Sequence, residues 1–148
     1  MVGSMKHACQ ALIVRYAPEP ASGEMLNIGV VLLSSGHSFM GSRCLGSWAR
    51  LTQAFPEADE VHLRRVAAAI ERSCEKYFSV QLPLEMPGAD VVAAFNAAVP
   101  PDDASIVHSA PIKGITADPL RTLDELFERY VSVRDAGDSR ARRVDADM

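Results

Sequence analysis

Cysteine is scarce: Cys9, Cys44 and Cys74 are the three in the chain, and they lie far apart. No two have the C-x-x-C spacing of a zinc site or redox motif, and distant thiols of odd number suit free cysteines in a reducing compartment. Long apolar runs are missing as well. The longest, residues 28–33, falls far short of the roughly 18 to 20 that cross a bilayer. The N-terminus has no apolar segment followed by a small-residue cleavage site. Together these absences predict a cytoplasmic protein without a membrane span. A surplus of basic charge is absent too: 15 Lys and Arg stand against 19 Asp and Glu, a net charge of −4. A main partner held by phosphate neutralisation, such as nucleic acid, is therefore disfavoured.

Catalytic signatures are equally thin. There is no G-x-S-x-G elbow, and neither a G-x-x-x-x-G-K-[ST] loop nor a G-x-G-x-x-G turn that would cradle a nucleotide. His7, His37, His62 and His108 have no ligand spacing, so no metal or cofactor is expected. His62 reads as a surface residue. Cys74 falls on an apolar helical stripe and reads as a small buried hydrophobe, since reactive thiols need an exposed, electropositive setting. No catalytic residue is assigned.

What the chain does contain is a domain's worth of apolar sequence. With 148 residues, 48% of them hydrophobic, it matches one ordinary globular domain. Residues 1–4, ahead of Met5, read as a cloning scar; residues 5–133 form the domain. Residues 134–148 repeat Arg and Asp without apolar anchors and read as a flexible polar tail. Three strands are predicted first. Residues 8–16 alternate with both rows mostly apolar, which calls for cover on both faces or a central place in a sheet. Residues 24–33 follow a proline- and glycine-bearing loop, and residues 38–45 return after a Ser-Ser-Gly turn, giving an antiparallel meander.

Helices come next. Ser47 is placed to cap a short one carrying Trp48, Leu51 and Phe55, with Trp48 plugging the core. A second after Pro56 presents Leu63, Val66, Ile70, Cys74 and Tyr77 inward. Residues 90–98 form a third, ended by Pro100-Pro101, and residues 105–109 a short strand. Asp118-Pro119 opens a last helix with Leu123, Leu126, Phe127, Tyr130 and Val131 inward. Strands first, then helices with a late strand, predict an α+β fold: an antiparallel sheet built on the N-terminal three-strand meander, helices packed on one face.

The densest polar cluster is Arg15-Tyr16-Ala17-Pro18 with Gly23-Glu24 and Asn27-Ile28-Gly29. Arg15 interrupts an apolar strand, and an uncompensated charge there is costly. One reading is structural: Arg15 pairs with Glu24 across the hairpin while Asn27 satisfies nearby backbone groups. The other is functional: Arg15, Tyr16, Glu24 and Asn27 form a polar pocket that holds an anionic ligand, with Gly29 allowing close approach. Gly29 in a β-branched run marks a bulge or a close neighbour in either case.

This strand-loop-strand pattern resembles the domain-of-unknown-function 3037 family of bacterial proteins. The closing helix, with Leu126-Phe127-Glu128-Arg129-Tyr130-Val131, resembles that family's C-terminal signature. The resemblance covers about residues 8–133 and departs in the third strand, where family members often carry a plainer aromatic segment. It implies little about activity. Members are often encoded beside a kinase of the HipA type, which implies a partner protein in a regulatory or toxin–antitoxin-like pair. Two functions follow as expectations: a non-enzymatic protein-interaction module partnering a HipA-type kinase, or a small enzyme or anionic-ligand-binding domain using Arg15, Glu24 and Asn27.

Overall fold

A strand apolar on both rows needs cover on both faces, and β1 (His7–Tyr16) receives it. In the computed structural model, which describes residues 5–80, 90–99 and 104–132, β1 is central in a five-stranded antiparallel sheet. β2 (Leu26–Ser34) pairs along one side of it, and β3 (Phe39–Cys44) pairs with β2. On the other side β4 (Ile106–His108) takes residues 14–16 of β1 and β5 (Ile112–Thr116) takes residues 7–11. The α+β class and the N-terminal meander stand as expected. Strand β5 is an addition, hidden in the sequence because Lys113 and Gly114 interrupt its apolar residues.

Among the described residues four helices complete the fold: α1 (Ala49–Ala54), α2 (Glu60–Val80), α3 (Val91–Ala98) and α4 (Pro119–Phe127), the last running into a π-helical turn, Glu128–Ser132. None among the described residues is long and apolar enough to cross a membrane. Neighbouring residues of a strand point to opposite faces, and β3 shows where the helices lie. Met40 lines a cleft with Ile70 and Cys74 of α2, whereas Arg43 reaches Asp124 and stacks on Phe127 of α4. Helices α2 and α3 therefore cover one face and α4 the other. The expectation of helices on one face is corrected by α4, and the reason is the double apolar row. Without α4, the fully buried row of Ala11, Ile13, Val30 and Leu32 would face water. Each large aliphatic side chain so buried contributes about 1.5 to 3 kcal/mol.

The helix starts are set locally. Asp118 Oδ1 accepts from the Arg121 amide at 3.2 Å, with Pro119 in the first turn, as the sequence predicts. Asp90 accepts from the Val92 amide at 2.9 Å and caps α3. Ser47 does not cap α1, because Trp48 takes that position and makes no side-chain cap bond. Trp48 is buried against the core as expected, and Leu63, Val66, Ile70 and Cys74 form the buried stripe of α2 with Tyr77 partly buried beside them. Residues 1–4, the proline pair at 100–101 and the tail at 134–148 lie outside the described residues.

Candidate functional site

The polar cluster of the first hairpin is shaped by an irregularity in its ladder. Val14 stands opposite Gly29 but Arg15 opposite Asn27, so Ile28 is the extra residue of a bulge. The bulge resets the alternation and places Arg15 and Asn27 side by side on the α4 face. Arg15 Nε donates to Asn27 Oδ1 at 3.0 Å. Asn27 Nδ2 then donates to the Tyr130 carbonyl at 2.9 Å. Asn27 thereby ties strand β2 to the π-helical turn Glu128–Ser132. Arg15 holds Asn27 in the orientation that offers its amide to Tyr130.

The expected ion pair between Arg15 and Glu24 is corrected: no salt bridge joins them, although Arg43, Arg64 and Arg121 all form such bridges. Gly23 turns the chain at φ 81, and Glu24 lies exposed before the ladder begins, its amide bound to Ser22 Oγ. Arg15 is only partly buried, so its guanidinium is not wholly taken out of solvent and a carboxylate partner is not obligatory. Tyr16 points to the opposite face, where its ring meets Phe55 edge-on at 5.4 Å. The structure thus brings together Arg15 and Asn27, and it separates Tyr16 and Glu24 from them.

Gly29 has its own steric reason. A Cβ there would lie 2.7 Å from Cys44 Sγ and 3.1 Å from the Arg43 carbonyl oxygen. The close neighbour is thus strand β3, whose Cys44 sulfur occupies the space above the glycine.

Two clefts flank α2, and neither is signalled by a motif. One, of about 380 Å³, lies between α2 and α3 over Val31 and Met40 and is lined mainly by apolar side chains, with Lys76 and Tyr77 among its polar ones. The other, of about 360 Å³, runs between β3 and α2 and is polar, with Arg64 and Glu71 on its helical wall. Only the small residues of both elements, Ser42 on the strand and Ala67 and Ala68 on the helix, hint at it in sequence. Cys44 lines it, and its thiol is pushed up to about 12, chiefly by burial and further by Cys74 and Glu71. Burial likewise pushes Cys74 up to about 11, against the opposing hydrogen bond from Ser42. Both thiols stay protonated at neutral pH and are poor nucleophiles, in keeping with the reading of Cys74 as a small buried hydrophobe. The histidines are scattered: the His37 Nε2 donates to the Thr116 carbonyl at 2.9 Å, and His108 Nδ1 to that of Ser109 at 2.6 Å. Among the described residues no group of three or more His, Cys, Asp or Glu could hold a metal ion.

Neither the curated proteins nor the solved structures include a match to this chain. A family model does match: that of the Protein of unknown function family DUF3037 covers residues 12–131, most of the chain including both the hairpin motif and the closing helix, and the chain belongs to that family.

Proposed function

We propose that this chain is a non-enzymatic, cytoplasmic protein-interaction module of a bacterial regulatory or toxin–antitoxin-like pair, with a HipA-type kinase as its partner. One observation carries the preference over a ligand-binding site. Within the hairpin motif, Arg15 Nε and the Asn27 side chain are engaged in an internal relay that ends on the Tyr130 carbonyl. Such a relay fastens the closing helix to the sheet and leaves Tyr16 and Glu24 out of any shared pocket. The motif then belongs to the scaffold, and recognition belongs to the surface the scaffold presents.

The test is direct mixing of the purified full chain with a purified HipA-type kinase of the same bacterium. The expected result is a stoichiometric complex on size-exclusion chromatography. Asn27→Ala should weaken that complex only in proportion to the fraction unfolded. The competing reading, an anionic-ligand domain, draws on Arg15, whose one hydrogen bond among the described residues uses Nε. It predicts no complex with the kinase. It also predicts a rise in melting temperature with small phosphate or carboxylate anions that Arg15→Gln abolishes.

A further inference from the structure

The edge of the sheet at β3 is a second, independent feature, and its outward backbone groups set what it offers. The Leu45 amide donates to the Ile28 carbonyl at 2.9 Å, so Leu45 turns its polar groups toward β2. Alternation along the strand then turns Arg43 and Gly41 toward β2 and turns Met40, Ser42 and Cys44 away from it. Among the described residues no backbone bond reaches these outward groups. The opposite edge of the sheet is guarded differently. Strand β5 is five residues long and carries Lys113 among its outward positions, a common means of blocking edge pairing. Strand β3 has six residues, Phe39–Cys44, with neither lysine nor proline among them.

Beside this open edge runs the polar cleft of about 360 Å³. One wall is consecutive edge sequence, residues 42–45, and the other is Arg64, Ala67, Ala68 and Glu71 of α2. Those helical positions are spaced 3, 4 and 7 residues from the first, one face of a helix. The two alanines keep the middle of that wall low, while Arg64 and Glu71 stand at its ends with opposite charge. The chemistry of such a trough is specific. Outward amides and carbonyls at alternate residues are matched by another extended backbone.

We infer that the β3–α2 cleft takes an extended peptide segment of a partner protein, which adds to β3 as a further strand. The inference rests on the protein-interaction reading and names the mode of contact. Arg64 and Glu71 lie seven residues apart, about 10 Å along the helix. They select a segment with an acidic side chain facing Arg64 and a basic one facing Glu71, two to four strand residues apart. Arg64 is already held by Glu60 at 2.7 Å, so it meets the peptide pre-oriented.

The experiment uses the full ¹⁵N-labelled chain and a synthetic octapeptide of alternating Thr and Val carrying one Asp and one Lys at that spacing. A second octapeptide is identical but N-methylated at alternate residues, which removes its ladder donors. The expected result is saturable shifts of the Met40, Ser42 and Cys44 amides, with at least tenfold weaker binding of the methylated peptide. Ser42→Pro removes an outward donor while sparing the ladder to β2, and should weaken binding by a similar factor. If that variant does not fold, the methylated peptide still decides. Equal binding of the two peptides, shifts confined to other residues, or no shift at millimolar peptide overturns the inference. So does a concentration-dependent dimer of the chain that perturbs the same three amides, because the occupant is then a second copy. A kinase complex that survives Ser42→Pro would defeat the strand-addition mode alone. Peptide binding at the edge without any kinase complex would defeat the proposed partner alone.

Discussion

Replacing Gly29 by alanine isolates one steric contact, and the packing around it sets the cost. The new Cβ would sit 2.7 Å from Cys44 Sγ, 3.1 Å from the Arg43 carbonyl oxygen and 3.3 Å from Cys44 Cα. Gly29 is not among the residues with positive φ, so alanine adds no backbone strain and the penalty is overpacking. Cys44 has a short side chain on a strand paired to the same β2, so neither its sulfur nor its backbone yields readily. Overpacking of this kind costs about 1 to 3 kcal/mol. Loss of freedom in the unfolded chain returns about 0.4 to 1 kcal/mol. The net expectation is a destabilisation of about 1 to 2 kcal/mol, read as a fall in Tm of about 2 to 8 °C for a chain of this size.

A double-mutant cycle assigns the contact. Cys44→Ala removes the nearest atom, so the pair Gly29→Ala with Cys44→Ala should be less destabilised than the sum of the two, by about 1 kcal/mol. Denaturant melts of the four proteins measure this coupling. Additive effects, or a Gly29→Ala protein as stable as the parent, would refute the steric account of this glycine. Gly29→Val adds two methyl groups in the same crowded space and should cost more than the alanine.

Two further expectations follow from neighbouring contacts. The thiols of Cys44 and Cys74 are raised from 9.0 to about 12 and about 11, so in that window the folded chain keeps protons that the unfolded chain has lost. Stability is therefore full below about pH 9 and falls as pH rises through the folded values; thermal melts from pH 7 to 11 should show this, with a shallower slope in Cys44→Ala. Arg43 bridges Asp124 at 3.1 Å and Glu128 at 3.6 Å on an exposed surface, and it stacks on Phe127 at 4.2 Å. Exposed ion pairs contribute about 0 to 1 kcal/mol and the stacking about 0.5 to 1, so Arg43→Ala should cost about 1 kcal/mol in a denaturant melt, with at most half of that removed by 1 M salt.

Much of the framework was legible because strands and helices carry their burial as periodicity. The two apolar rows of β1 announced a central strand, and the spacing of Leu63, Val66, Ile70 and Cys74 announced the buried stripe of α2. Asp118-Pro119 marked a helix start by chemistry that acts within four residues. What escaped depends on contacts distant in sequence. Arg15 seemed to need Glu24 because both flank one loop, yet the bulge at Ile28 shifted the register and gave it Asn27 instead. Asn27 in turn meets a carbonyl 103 residues away, a pairing that no local pattern encodes. The second covered face was implicit in the double apolar row, but which helix would cover it was not. The β3–α2 cleft is made by small residues on two separate elements, and small residues leave no periodic mark.

The central claim is that the hairpin motif clamps the closing helix to the sheet, and Asn27→Ala tests it most directly. The substitution removes the Asn27 bonds to both the Arg15 Nε donor and the Tyr130 carbonyl, at a cost of about 1 to 3 kcal/mol. Thermal melting combined with amide hydrogen exchange should show a lower Tm and faster exchange concentrated in Pro119–Phe127 and Glu128–Ser132. A variant that melts and exchanges like the parent, yet no longer binds its partner or an anion, would contradict the account and make the motif a functional site.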